Sequence, residues 1–239
     1  MLIAIPSKGR PYKSKTKEFL KSAKIFVPES EYGIYNKIYP GDIVAVPSEV
    51  RGITPTRNWI LKNSEDREVV MVDDDLVKCG YILPDENGKL NTIEIKDGKV
   101  LERVFEQAFE TLYSLGWKIF GVRGESSAWG QHNECPFLLD SYITANCMGM
   151  INDGSMYFDE EMKVKEDFEI GLRHIQQYGG VLCLRYLFWS EKHWTTGGGC
   201  ADYRTEKIEM DAIKRLMKLY HKKVRKVTKK GTLYDIRIN

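Results

Sequence analysis

Apolar residues in this chain fall into short solid runs separated by stretches of helical period. The clearest run is Val69-Val70-Met71-Val72. Four consecutive apolar residues, mostly β-branched, read as a strand buried on both faces of a parallel sheet. Residues 2–5, 25–27 and 43–46 make similar runs, the second stopped by Pro28. Between them, Ser14 is positioned to cap a helix over 15–23. Thr54-Pro55 reads as an N-cap followed by proline at the first helical position, opening a helix through Trp59 and Leu61. This β-α-β-α-β order predicts an α/β fold, a mostly parallel sheet with helices on both faces.

The second half continues the alternation. Glu86-Asn87-Gly88 and Lys96-Asp97-Gly98 are hairpin-type turn signals around residues 92–95, so an antiparallel excursion is expected over 84–99. Apolar positions 101, 104, 105, 108, 109, 112 and 115 have a helical period that Gly116 stops. Residues 118–122 return to the sheet, and the polar stretch 124–136 reads as a mobile loop. Phe168, Leu172 and Ile175 mark one face of a helix ending at Gly179-Gly180, and 181–189 is a further buried strand. A last helix is expected over about 206–227, with apolar residues at 208, 213, 216, 217, 220, 224 and 227. No repeat or linker divides the chain, so one domain is expected over 1–239, with 206–230 as its basic C-terminal helix.

Composition narrows the class. No apolar run approaches a membrane span, and the opening run breaks at Pro6, too early for a signal-peptide core. Five widely spaced cysteines without a C-x-x-C point to free thiols in a cytoplasmic protein rather than to a zinc site. The net charge of +2 conceals an asymmetry: residues 212–230 hold nine basic side chains and no acid, leaving −7 on the rest. A compact basic end on an acidic body suggests a polyanionic partner.

The candidate chemistry begins where the strongest strand ends, at Asp73-Asp74-Asp75. Ligands of open α/β sheets sit just beyond the carboxyl ends of strands. Asp73 and Asp75 point the same way on an extended backbone, and two carboxylates about 5 Å apart repel by roughly 3 kcal/mol at an effective dielectric near 20. A hard divalent cation, Mg²⁺ or Mn²⁺, would relieve that and keep positions open for phosphates. Glu166-Asp167 opens the helix carrying Phe168, where the helix terminus favours carboxylates; beside the aspartate cluster it supplies a candidate general base. Ser7-Lys8-Gly9-Arg10 after the first strand offers positive charge and N–H groups to a nucleotide, and Arg57 could clasp a phosphate. His193, before Gly197-Gly198-Gly199, is a candidate metal ligand. No G-x-G-x-x-G follows the first strand and no P-loop motif occurs, which disfavours dinucleotide and P-loop binding.

These residues together resemble a GT-A fold glycosyltransferase. More narrowly, the chain is similar to the TET-associated glycosyltransferase family of bacteriophages, related to the enzymes that glucosylate base J. The resemblance rests on residues 5–11, 50–53 with 56–59, 70–76, 166–169, and the segment Gly197-Gly198-Gly199-Cys200-Ala201-Asp202-Tyr203-Arg204-Thr205. It implies a GT-A-like fold and transfer of a sugar, from a UDP-sugar or related donor, to the hydroxyl of a modified pyrimidine such as 5-hydroxymethylcytosine in DNA. Carried over, Pro6, Ser7, Lys8, Arg10, Arg57, Asp73, Asp74, Gly198 and Gly199 would line the donor. Asp75, with Asp73 and His193, would hold the metal; Asp167, beside Glu166, would be the base of an inverting displacement. Lys222, Lys223, Arg225 and Lys226 would contact DNA. A phage origin would place the enzyme in the host cytoplasm. His193-Trp194-Thr195-Thr196 stands where a Gln/Asn-rich segment is expected. A saccharide or protein acceptor, a nucleotidyltransferase, and a non-catalytic DNA-binding module with a structural cation remain open on the sequence.

Overall fold

The computed structural model describes residues 1–122, 136–191, 204–221, 223–229 and 232–238, with backbone alone for 227–229 and 232–238. In chain order the elements are β1 (Leu2–Pro6), α1 (Lys15–Phe19), β2 (Lys24–Pro28), α2 (Tyr32–Ile38), β3 (Ile43–Val46), α3 (Ile53–Asn63), β4 (Glu68–Val72) and β5 (Leu76–Pro84). There follow β6 (Leu90–Glu94), α4 (Gly98–Leu115), β7 (Ile119–Val122), β8 (Phe137–Leu138), β9 (Thr144–Ile151) and α5 (Glu166–Tyr178). The last are β10 (Leu182–Leu184), β11 (Leu187–Glu191), α6 (Glu206–Leu219), β12 (Val224–Lys229) and β13 (Thr232–Ile238).

Eight strands form the main sheet in the order β3-β2-β1-β4-β9-β7-β10-β8. The β3-β2-β1-β4 block is parallel and β10 runs parallel to β7, while β9 is antiparallel to both its neighbours and β8 is antiparallel to β10. Strand alternation divides the core in two. Ile3, Ile5, Val70 and Val72 join Leu101, Phe105 and Phe109 of α4 on one face. Ala4, Val69 and Met71 join Ile60 and Leu61 of α3 and Ile170 and Ile175 of α5 on the other. Successive strand residues pointing to opposite faces produce this split, so the central strands are buried on both sides, as the solid apolar runs predicted.

Crowding across the sheet fixes one glycine. Gly149 of β9 pairs with Phe120 of β7, and a Cβ there would lie 2.0 Å from the Phe120 ring. Phe105 and Phe109 hold that ring from the helix side, with centroids 6.1 and 5.1 Å away.

A second sheet, β11-β5-β6, stands beside the first. The β5–β6 hairpin realises the expected antiparallel excursion, closed by residues 85–89. Lys96-Asp97-Gly98 is no hairpin turn: Asp97 caps α4 by accepting from the Lys99 N–H. Gly116 ends that helix at φ 68°, the left-handed cap that glycine takes without strain.

Other expectations are corrected. Helix α1 stops at Phe19, four residues short, and Ser14 makes no capping bond. Gly52, at φ 98°, caps α3, while Thr54 spends its hydroxyl on the Met162 carbonyl at 2.7 Å. The 181–189 run is two strands, β10 and β11, that break at 185–186 and serve different sheets. The expected 206–227 helix ends at Leu219, and from Val224 its remaining residues belong to the first strand of a β12–β13 hairpin. Three β-branched residues, Val224, Val227 and Thr228, favour a strand over the helical period there. Helix α6 packs Ala212, Ile213 and Leu216 against Met162, Val164 and Leu172. Cys79, Cys147 and Cys183 are buried outside any disulfide. Among the described residues, no helix is long and apolar enough to cross a membrane.

Candidate active site

The carboxyl ends of β1 and β4, the start of β9 and the first turn of α5 meet at one edge of the main sheet, where the acidic motifs converge. Asp74 turns inward. It is 5% exposed and accepts from the Ser7 hydroxyl at 2.5 Å and from Arg10 Nη1 at 2.7 Å. Tyr35 tightens the same loop, its hydroxyl 2.8 Å from Ser7 Oγ and accepting from the Arg10 N–H at 3.0 Å. Ser7, Arg10 and Asp74, expected at the donor, therefore tie the first loop to the end of β4. Arg10 Nη1 also lies 3.7 Å from Asp75. Burial works against the Arg10 charge, but the aspartates outweigh it and raise its pKa. Pro6 is buried as the last residue of β1, and Lys8 is exposed at the loop tip.

Asp73 keeps 39% of its side chain exposed. Its surroundings are nonetheless dense, and burial lifts its pKa to about 7 against the pull of Arg57, with Asp75, Asp74 and Glu166 adding to the rise. Water reaches this carboxylate, yet protein surrounds it. Glu191, at the end of β11 opposite Leu76, is a site residue that the sequence reading misses. Burial carries its pKa to about 8, reinforced by the charges of Asp73 and Asp75. The Trp189 ring N–H donates to it at 3.1 Å, and the Asn146 side chain also hydrogen-bonds to it. The only sequence signal for Glu191 is an acid ending a buried strand.

Arg57 does not reach for a phosphate. It is 3% exposed; Nη1 donates to Glu166, and Nη2 donates to Asp73 and to the Ala145 carbonyl, each at 3.2 Å. Glu166 is buried, which raises its pKa, with Arg57 opposing and Asp167 adding to the rise. Asp167 accepts from the Ala145 N–H at 3.2 Å and from the Phe168 N–H at 2.9 Å. Lys165, just before the pair, has φ 61°, a left-handed conformation uncommon for a residue with a side chain. It is anchored by Glu209 of α6 at 3.3 Å and lies over the Phe168 ring.

The chemistry of Asp73, Asp75 and Glu191 suits a hard cation: oxygen donors only, with mutual repulsion that a divalent ion would relieve. Among the described residues, no three acidic, histidine or cysteine side chains stand close enough to hold a metal as placed. His193, Gly198, Gly199 and Lys222 lie outside the described residues. Lys223, Arg225 and Lys226 are exposed, the first in the turn after α6 and the others on β12, so none is on the helix expected for them.

The fold is that of GT-A glycosyltransferases, as two solved structures show. Residues 1–349 of S. aureus TarS in complex with UDP-GlcNAc are 12% identical, with a TM-score of 0.51 over 91% of this chain and 67% of that one. Glucosyl-3-phosphoglycerate synthase from Mycobacterium tuberculosis, with Mn²⁺, UDP and glucosyl-3-phosphoglycerate, is 10% identical, with a TM-score of 0.51 over 99% of this chain and 85% of that one. The chain spans 60% of the length of the same TarS fragment in another crystal. Among curated proteins, none matches. The pairing of an aspartate-tipped strand with an acidic helix start, on this fold, agrees with the match of residues 1–199 to the TET-Associated Glycosyltransferase family, and the chain belongs to that family of glycosyltransferases.

Proposed function

We propose that this glycosyltransferase moves a sugar from a nucleotide-sugar donor, a UDP-sugar by the chemistry of its structural neighbours, to the hydroxyl of a modified pyrimidine such as 5-hydroxymethylcytosine in DNA, with inversion. The observation carrying this reading is that Asp73 and Asp167 face one edge of the sheet and are tied to each other through Arg57 and Ala145. Asp75, with Asp73, would hold Mg²⁺ or Mn²⁺, which as a Lewis acid would offset charge on the departing diphosphate.

The protein's own groups do the rest. Asp167 accepts the proton of the attacking hydroxyl while the new bond to the anomeric carbon forms. The old carbon–oxygen bond breaks and its electron pair leaves with the nucleoside diphosphate. A general base typically contributes about 10²–10⁴-fold. Two backbone N–H donors hold Asp167 in place. Lys8, exposed in the first loop, would bring positive charge to the donor. The hydroxymethyl group of a pyrimidine lies in the major groove, so the enzyme reaches in or flips the nucleotide at a cost of about a few kcal/mol. Lys223, Arg225 and Lys226 are suited to DNA phosphates, on a unit packed directly against the helix that carries Asp167.

Incubating hydroxymethylcytosine DNA with a panel of nucleotide sugars and Mn²⁺, then digesting and weighing the nucleosides, tests this. The expected product is the modified nucleoside plus one sugar residue. Release of nucleoside diphosphate without any such adduct would remove the DNA acceptor, and undiminished transfer in chelator would remove the metal.

A further inference from the structure

We propose that Arg57 is a positioning residue, whose single guanidinium sets the separation between the donor-side carboxylate Asp73 and the base Asp167. This rests on the reading of Asp167 as the base. The contacts converge on one nitrogen: Nη2 donates both to Asp73 and to the Ala145 carbonyl. The N–H of that same Ala145 is given to Asp167. The other nitrogen, Nη1, holds Glu166, the chain neighbour of Asp167. Both ends of the reaction are thus fixed to one planar fork, directly at Asp73 and through one backbone residue at Asp167.

The fork itself is immobilised. Thr54, Arg57 and Asn58, at helical spacings of three and four, form a buried polar stripe on α3. Thr54 bonds the Met162 carbonyl at 2.7 Å. Asn58 donates to the Phe158 carbonyl at 2.9 Å and accepts from the Phe158 N–H at 2.8 Å. The guanidinium lies over the Phe158 ring, 5.8 Å from its centre. A lysine would keep the charge, but an ammonium cannot span two carboxylates and a carbonyl in fixed plane geometry. Misplacing a reacting group by an ångström costs about 10²-fold.

Arg57→Lys is the test, read in two ways. Amide hydrogen exchange, measured by NMR without ligand, should accelerate at least about tenfold at Ala145 and in the first turn of α5, beyond any uniform change set by global stability. In turnover, with the donor and acceptor found by the panel, kcat should fall about 10²-fold, while the donor KM should move by less than about threefold, as expected when stabilisation of the transition state alone is removed. A uniform rise in exchange with kcat per folded molecule unchanged would mean that Arg57 only supports the fold, and would overturn the proposal. Should Arg57→Lys not fold, Asp73→Ala removes one acceptor of Nη2 at a partly exposed position. Accelerated Ala145 exchange there supports the link, and unaltered exchange overturns it. If the wild-type enzyme transfers no sugar from any donor, the functional reading fails separately and the exchange measurement decides this one.

Discussion

Replacing His174 by glutamine should flatten the acid side of the protein's stability profile. The ring is fully buried in α5: Nε2 accepts from the Lys118 N–H at 2.9 Å and Nδ1–H donates to the Gly180 carbonyl at 2.5 Å. Those partners require the neutral ring. Burial lowers its pKa from 6.5 to about 4, with the Lys118 charge assisting and the Gly180 bond opposing. The unfolded chain takes up a proton near pH 6.5 and the native protein does not, so stability present above that pH is lost as pH falls towards 4. The whole gap amounts to about 3 kcal/mol, of which about 2 kcal/mol has gone by about pH 5. Urea unfolding at about pH 7.5 and pH 5, on wild type and His174→Gln, isolates this contribution, because all other titrating groups cancel in the double difference. The wild type should lose about 2 kcal/mol more than the variant between those conditions. Equal losses would refute the assignment of a buried, neutral His174.

Three further outcomes are expected. Asp75→Asn should abolish Mn²⁺-dependent donor binding in calorimetry, whereas Asp167→Asn should keep it and lower transfer by about 10²–10⁴-fold; equal loss of donor affinity in both would remove the base assignment. Gly149→Ala should destabilise by about 1–3 kcal/mol through overpacking on Phe120, read as a melting point lower by about 2–4 °C per kcal/mol for a chain of this size; an unchanged melting point would mean that the aromatic cluster yields. Replacing Lys223, Arg225 and Lys226 by glutamine should raise the KM for DNA and flatten its log–log salt dependence by about 0.9 for each phosphate no longer neutralised; an unaltered slope would leave these residues without a part in DNA binding.

What is legible in the sequence follows from where local pattern and tertiary demand agree. Val69–Val72 and the 101–115 helix stand out because burial on two faces or one leaves a solid run or a clean period. Strand β9 leaves little trace, since T-A-N-C-M-G-M-I has few β-branched residues and its glycine answers to Phe120 on a neighbouring strand. Arg57 reads as an outward-facing phosphate clasp because a charged residue on a helix usually faces water. Its burial depends on Glu166, more than a hundred positions away, which no local window contains. Asp74 looks equivalent to its neighbours in sequence, yet the turn between β4 and β5 carries it to Ser7 and Arg10. Glu191 follows an apolar run that reads as one piece, and only the break after Leu184 sends its second half to the acidic cleft.

The reversal of β9 has a chemical result at the sheet's edge. The strands β1 and β4 run towards that edge, whereas β9 starts from it. The first residues of β9 therefore stand beside the end of β4, and there the Ala145 N–H meets a carboxylate oxygen of Asp167. One strand of opposite direction thereby lets the middle of the sheet seat an acid with a backbone donor.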